Sequence, residues 1–273
     1  MTRQNLGAVP DIKPAYLLMF PRGTRRAFLA AMDTLTATVA SGLRARLESL
    51  ELLANNVANA STGGYKADRE FYGVYLSEES READSTATMP IIEKPWTDFS
   101  QGVIHATGNS LDLAINGKGF FAVNGPSGPL YTRNGNFRLA ANGQLITAEG
   151  HAVRTNGGGT ITLQSVRPID ISNDGAVRQD GNIVGQIEIA DFTSAAGLRK
   201  QGNNYFRPAD PTARVVSNAA LEQGKLEGSN SGSAEASVRL VSVMRQFEML
   251  QKAATLGAEM NRSAIEQVAK VGS

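Results

Sequence analysis

The sequence predicts an α+β fold in which an antiparallel β-rich central domain is flanked by long N- and C-terminal helices that pair as a coiled coil. Three observations predict it. Apolar residues recur in a heptad rhythm near each end of the chain. Between about Asn109 and Arg207 the apolar period switches to two. Five Asn-Gly pairs, at Asn116, Asn124, Asn134, Asn142 and Asn156, and Asp-Gly pairs at Asp174 and Asp180 then supply the positive-φ residues of tight hairpins.

Residues 1–31 form an extension that matches no later pattern, with a short apolar patch at Ala15–Phe20 between prolines. Thr24-Arg25-Arg26-Ala27-Phe28-Leu29 has the look of a twin-arginine export signal. Asp33 interrupts the apolar stretch that must follow, so no cleaved signal is expected. The extension is expected to be disordered or untranslated, with Met32 as the start.

Asp33 is a natural cap, and the first helix is expected to run from it to about Ala58 with an apolar stripe of Leu43, Leu47, Leu50, Ala54 and Val57. Asn55, Asn56, Asn59, Gly63 and Gly64 cluster where the helix stops. Residues 32–76 thus form the helix and its exit loop, and the charged, apolar-poor stretch beginning at Ser77 makes 77–108 a linker. In 109–207 the β pattern is plain: Leu111, Leu113 and Ile115 share a face, and Ile161/Leu163, Ile169/Ile171 and Ile187/Ile189 repeat the pairing. Turns every eight to fourteen residues, with no crossover helix between strands, point to an antiparallel meander, sandwich or barrel. A return segment, 208–233, carries Pro208 and Pro211. Ser233 then caps a C-terminal helix in 234–273 whose seam comprises Leu240, Val243, Phe247, Leu250 and Ala254. At about 37 residues that helix reaches ~55 Å, too long for one face of a small domain, so both seams are assigned to an assembly interface.

The composition narrows the function. A formal charge of +1 from 27 basic and 26 acidic residues sets up no field for nucleic acid or an anionic membrane. No run approaches the ~20 apolar residues of a membrane-spanning helix. Without cysteine there is no disulfide framework, thiolate metal site or thiol nucleophile. Gly117-Lys118 is followed by Gly119 where a phosphate loop needs a hydroxyl, and Gly157-Gly158-Gly159 precedes a strand instead of a helix. His105 and His151 lack a metal-spaced partner. Asp112, Glu149, Asp170 and Asp174 read as strand or turn residues facing solvent. No catalytic, cofactor-binding or metal residue is assigned, and the chain is not expected to be an enzyme.

Three segments carry a family resemblance. ANNVANASTGGYK (54–66) resembles the N-terminal signature of the flagellar basal-body rod and hook proteins, with Asn55, Asn56, Asn59 and Gly64 as motif residues. The stretch from Asp112 to Val153 is similar to that family's central β segment. LEGSN (226–230), contributing Leu226, Glu227, Ser229 and Asn230, and VSVMRQFEMLQK (241–252) resemble its C-terminal signature. Order and spacing match from about Met32 to Val271. Two departures stand out: residues 1–31 have no counterpart, and Ser231 occupies a position that is usually apolar. Within the family, the glycine-rich turn before Thr160–Leu163 together with LEGSN is most similar to the proximal-rod members, the distal-rod members coming next.

The resemblance implies a structural subunit of the periplasmic rod, exported without a cleaved signal peptide through the flagellar export apparatus, self-assembling through its terminal helices with copies of itself and other rod proteins. It implies no cofactor, no nucleic acid and no membrane insertion. The alternatives are a distal-rod or hook-type subunit, or an extracellular β-rich adhesin or coat module. The adhesin has no internal repeat to support it. A carbohydrate-active enzyme would need aromatic platforms, and Trp96 is the one tryptophan.

Overall fold

The computed structural model describes residues 22–76, 88–92, 95–164, 167–202 and 204–271. The expectations placed on 1–21 and on the charged stretch 77–87 lie outside the described residues. Two long helices, α1 (Arg22–Ala58) and α2 (Ser233–Val271), enclose in sequence a succession of short strands running from Asp68 to Glu227. All the strand pairings are antiparallel. The described residues divide into two compact units. One holds those up to Ser49, from Tyr72 to Glu93 and from Ser242 onward; the other holds Leu50–Phe71 and Lys94–Val241.

In the larger unit the strands form a nine-stranded sheet with smaller sheets beside it. Along the main path the order is Leu198–Lys200, Tyr205–Pro208, Gly128–Thr132, Phe120–Gly125, Ala152–Val153, Leu145–Thr147, Phe137–Leu139. Ile189–Phe192 pairs with Phe120–Gly125 and with the edge strand Arg214–Val216. Alternation along Phe120–Gly125 sends consecutive phenylalanines to opposite faces. Phe121 joins the main core of Leu113, Ile115, Leu145, Ile161, Ile187 and their neighbours. Phe120 and Ala122 join Tyr131, Phe192 and Phe206 in a second, aromatic core. The period-two pairs read from the sequence therefore share one interior: Leu113/Ile115, Ile161/Leu163 and Ile171 are buried in it, with Leu111, Ile169 and Ile189 packed against it.

The turn chemistry holds in part. Asp180 and Gly181, both at positive φ (49° and 80°), make the two-residue hairpin joining Ala176–Gln179 to Asn182–Gln186. Gly117, Gly143 and Gly175 also take positive φ, whereas the glycines at 125, 135 and 157 do not. At Gly135 the requirement is space: a Cβ there would lie 1.8 Å from the Leu113 carbonyl oxygen.

The expected pairing of the two helices as a coiled coil is corrected: the described residues hold two long helices and a β-rich body of antiparallel strands, and a coiled-coil seam between the helices is not seen among them. In α1 the stripe of Leu43, Leu47, Leu50, Ala54 and Val57 is not the buried face: Leu47 is 50% exposed and Ala54 is exposed. The buried positions are Gly42, Ala45, Ser49, Leu53 and Asn56, one or two residues earlier. Heptad spacing shows that a face must be covered; it does not show what covers it, and on α1 the covered face includes the small residues Gly42, Ala45 and Ser49. A Cβ at Gly42 would sit 3.5 Å from a Leu250 methyl, so the glycine that weakens the helix by ~1 kcal/mol relative to Ala lies where that methyl approaches. The first helix also begins at Arg22, well ahead of the expected cap at Asp33. On α2, Val243 is buried, while Leu240, Phe247, Leu250 and Ala254 are half-buried.

Candidate functional site

The two signature segments, 161 residues apart at their closest charged pair, meet in the larger unit at Glu227, whose side chain is fully buried. Strand Lys225–Glu227 pairs with Ile104–Ala106, and the backbone of the first signature runs alongside it. The Gly64 N–H donates to the Glu227 carbonyl (2.7 Å), the Asn230 N–H to the Tyr65 carbonyl (3.2 Å), and the Ala67 N–H to Asn230 Oδ1 (2.7 Å). Gly64 sits at φ 65°, and a Cβ there would fall 2.4 Å from Asn134 N. Any side chain would push the exit loop off the turn beneath it.

The Glu227 carboxylate is the hub. Lys66 Nζ lies 2.6 Å from Oε1, Arg133 Nη1 3.1 Å from Oε2, and the Gly102 N–H donates to Oε1 at 2.9 Å. Two buried cations thus share one buried anion, and further bonds from Lys66 Nζ and the two terminal nitrogens of Arg133 go to backbone carbonyls, while Arg133 Nε is buried without a partner. Lys66 Nζ donates to Ser100 O (2.6 Å); Arg133 donates to Gly117 O (2.6 Å) and Ile115 O (3.3 Å). Burial pushes both Lys66 and Arg133 below their ordinary pKa values, against the pull of Glu227. Such a cluster adds little net stability over apolar packing, but removing one partner strands a buried charge and costs ~3–5 kcal/mol.

Around this hub the asparagines act as splints. Asn56, buried at the end of α1, donates to the Asp68 carbonyl (2.7 Å) and accepts from the Asp68 N–H (3.0 Å) and from Tyr65 Oη (3.0 Å). Asn59 Nδ2 closes back on the Asn55 carbonyl (2.9 Å). Asn230 Nδ2 donates to Asp98 O (2.7 Å). Burial, helped by the Asp68 charge, raises the Tyr65 phenol to about 12. Lys200 spans Asp68 Oδ2 (2.7 Å) and Lys66 O (2.8 Å), with Nζ 4.8 Å from the Tyr65 ring centroid. At the start of α2, Arg239 pairs with the largely buried Glu70 (3.6 Å). The departure at Ser231 is accommodated: the residue is buried and its N–H donates to Ser229 Oγ at 3.0 Å.

The motif residues therefore come together, with Leu226 half-buried on the strand that carries Glu227. The seam residues Leu43, Leu47, Leu50, Ala54, Val57, Leu240, Val243, Phe247, Leu250 and Ala254 are not among the hydrogen-bond or ion-pair partners of the hub. Sequence reasoning missed Lys66, Arg133, Gly102 and Lys200 as working residues. Lys66 and Glu227 left one trace, being opposite charges in two signatures otherwise rich in Asn, Gly and Ser; Arg133, in a β turn, left none. Asp112 accepts from Asn136 Nδ2, Asp174 accepts from Ser172 Oγ, and Glu149 accepts from Tyr205 Oη. His151 meets the Tyr205 ring edge-on at 5.2 Å. Among the described residues no group of three His, Asp or Glu is placed to hold a metal ion, and no helix is long and apolar enough to cross a membrane. Chemically the arrangement is a lock in which each charged group of the hub is engaged by another.

Comparison with known proteins gives matches in three consecutive stretches. Residues 37–66 match the family described as flagella basal body rod protein, 114–184 the flagellar hook protein FlgE/F/G D1 domain, and 222–267 the flagellar basal body rod FlgEFG protein C-terminal region. The chain is similar to the flagellar basal-body rod protein FlgF of Caulobacter vibrioides, 33% identical over 226 residues that cover 81% of this chain and 92% of the relative. It is similar to FlgF of Mesorhizobium japonicum at 32% (82% and 92% covered), and to FlgG of Agrobacterium fabrum at 32% (82% and 95% covered).

Proposed function

The chain belongs to the flagellar basal-body rod protein family, and from that premise we propose that it is a structural subunit of the rod, the axial driveshaft of the basal body, assembled with other rod proteins and with copies of itself. The observation that carries this reading is the lock at Glu227. It fixes the end of α1 and the start of α2 to one β framework, as a subunit that hands load from its helices to its body requires. Both helices also carry exposed large apolar side chains, among them Leu47, Val238 (72% exposed), Met249 and Leu256. On α2 the exposed Val238, Val241 and Met244 stand three residues apart and so share one helix face, and an apolar face of that kind marks a contact site. The finer reading is an FlgF-type, proximal-rod subunit that crosses the inner membrane through the flagellar export apparatus, acts in the periplasmic part of the rod and performs no catalysis.

The test is genetic. Deleting the gene from its host should abolish swimming and leave basal bodies with incomplete rods in electron micrographs, and the intact chain supplied in trans should restore both. Full swimming by the deletion strain would refute the reading.

A further inference from the structure

Beside the lock, in the same unit, lies a cleft of about 420 Å³, within the size range of ligand sites. One wall is the exit of α1, with Asn55 and Tyr65; the other is formed by turns of the β body, with Asn134, Glu149, Asn204 and Tyr205. Asn56, Gly64, Lys66, Glu227 and Asn230 are consumed by the lock, whereas Asn55 faces outward into the cleft.

The polar groups of the lining are half used. Asn55 Oδ1 accepts from Tyr65 Oη and Asn59 Nδ2, and Asn134 Oδ1 accepts from the Asn136 N–H. In both amides the NH₂ group has no partner among the described residues. Asn204 has the converse arrangement: Nδ2 donates to Gly63 O (3.1 Å) and Oδ1 is left over. Glu149 Oε2 accepts from Tyr205 Oη, leaving Oε1. Two open donors and two open acceptors on facing walls suit the alternating carbonyl and N–H groups of an extended peptide, and the exposed Glu149 suits a basic side chain.

The aromatic residues decide against a sugar. Stacking a pyranose requires an open ring face, but the Tyr65 and Tyr205 rings are both buried, with Lys200 against Tyr65 and His151 edge-on to Tyr205. We propose that this cleft seats an extended segment of a neighbouring rod subunit, with a Lys or Arg of that segment pairing with Glu149. The proposal rests on the rod reading above and adds to it the place of contact.

The test uses the full chain in its host, in place of the native copy. A benzophenone amino acid is introduced at Ser61, an exposed residue next to Thr62 on the cleft wall, and a control probe at the exposed Gly157. Cells are illuminated, basal bodies are purified, and adducts are mapped by mass spectrometry. The expected result is an adduct between Ser61 and a Lys- or Arg-containing peptide of a rod subunit. It should be absent with the Gly157 probe and lost when Glu149→Arg is added. Glu149→Gln, which keeps an acceptor for Tyr205 while removing the charge, should weaken the adduct without affecting folding, as checked by melting of the purified chain. If the chain is present in basal bodies but Ser61 gives no protein adduct, a glycan adduct, or an adduct indifferent to both Glu149 variants, the cleft proposal fails and the rod reading stands. If the chain is absent from basal bodies, both fail.

Discussion

Glu227 answers to two cations, and that imbalance sets its sensitivity. Glu227→Gln keeps the shape and one acceptor but leaves Lys66 and Arg133 buried without a counter-charge. The variant should lose ~3–5 kcal/mol in urea unfolding. Glu222→Gln breaks only the half-exposed pair with Lys225 and should lose no more than ~1 kcal/mol. Equal effects would mean that the hub is not special.

Asp98 offers a pH test. Burial raises its pKa, but hydrogen bonds from the Ser100 N–H and from Arg69 outweigh this and hold the carboxyl below its ordinary value. Because the folded pKa is depressed, the stabilisation is complete above the unfolded value of ~3.9 and is lost as pH falls through the folded value. The fall in Tm below about pH 4 should therefore be shallower in Asp98→Asn than in the parent chain. A parallel fall in the two proteins would remove Asp98 from the account. At this scale the motifs revealed which residues matter but not what they touch, because no local pattern links Lys66 to Glu227 or to Arg133.

At the scale of elements, alternation was the reliable signal. A strand with one buried face must place its apolar residues two apart, and Leu113/Ile115 and Ile161/Leu163 do so in a shared core. Asn-Gly pairs located turns without fixing their geometry, as Gly135 illustrates, since its glycine is needed to clear the Leu113 carbonyl. Gly181→Ala should cost ~1–2 kcal/mol by forcing an L-residue into left-handed backbone, even though open space surrounds the position. Gly157→Ala, also in open space but without positive φ, should be nearly neutral in the same thermal unfolding assay.

The helices were legible as helices and misread as a coiled coil. Counting large apolar residues favours Leu43 and Leu47, while burial on α1 selects Gly42, Ala45 and Ser49, which such a count ignores. The seam on α2 still marks an assembly surface as a proposal. Leu250→Asp puts a charge beside Gly42, costs several kcal/mol if that surface is packed, and should stop swimming while the purified chain keeps its β-type circular dichroism. Normal swimming with confirmed expression would count against it.

At the scale of the whole molecule, the absence of a strong charge field, cysteine chemistry or a catalytic motif left little to argue from except pattern, and the pattern was spread over three segments far apart in sequence. Their order identified the family. That the first and third close on one ion-pair hub was not legible, because long-range contacts between polar residues leave no periodicity. The hub gives the family signatures a physical reason: they fasten the inner ends of two helices to a β body.

The central claim is that this chain is a rod subunit, and the most direct measurement is of rods themselves. Basal bodies purified from swimming cells and stripped of loosely bound protein should contain this chain, by quantitative mass spectrometry, in a fixed ratio to the other rod proteins. Basal bodies with complete rods that lack the chain would contradict the account.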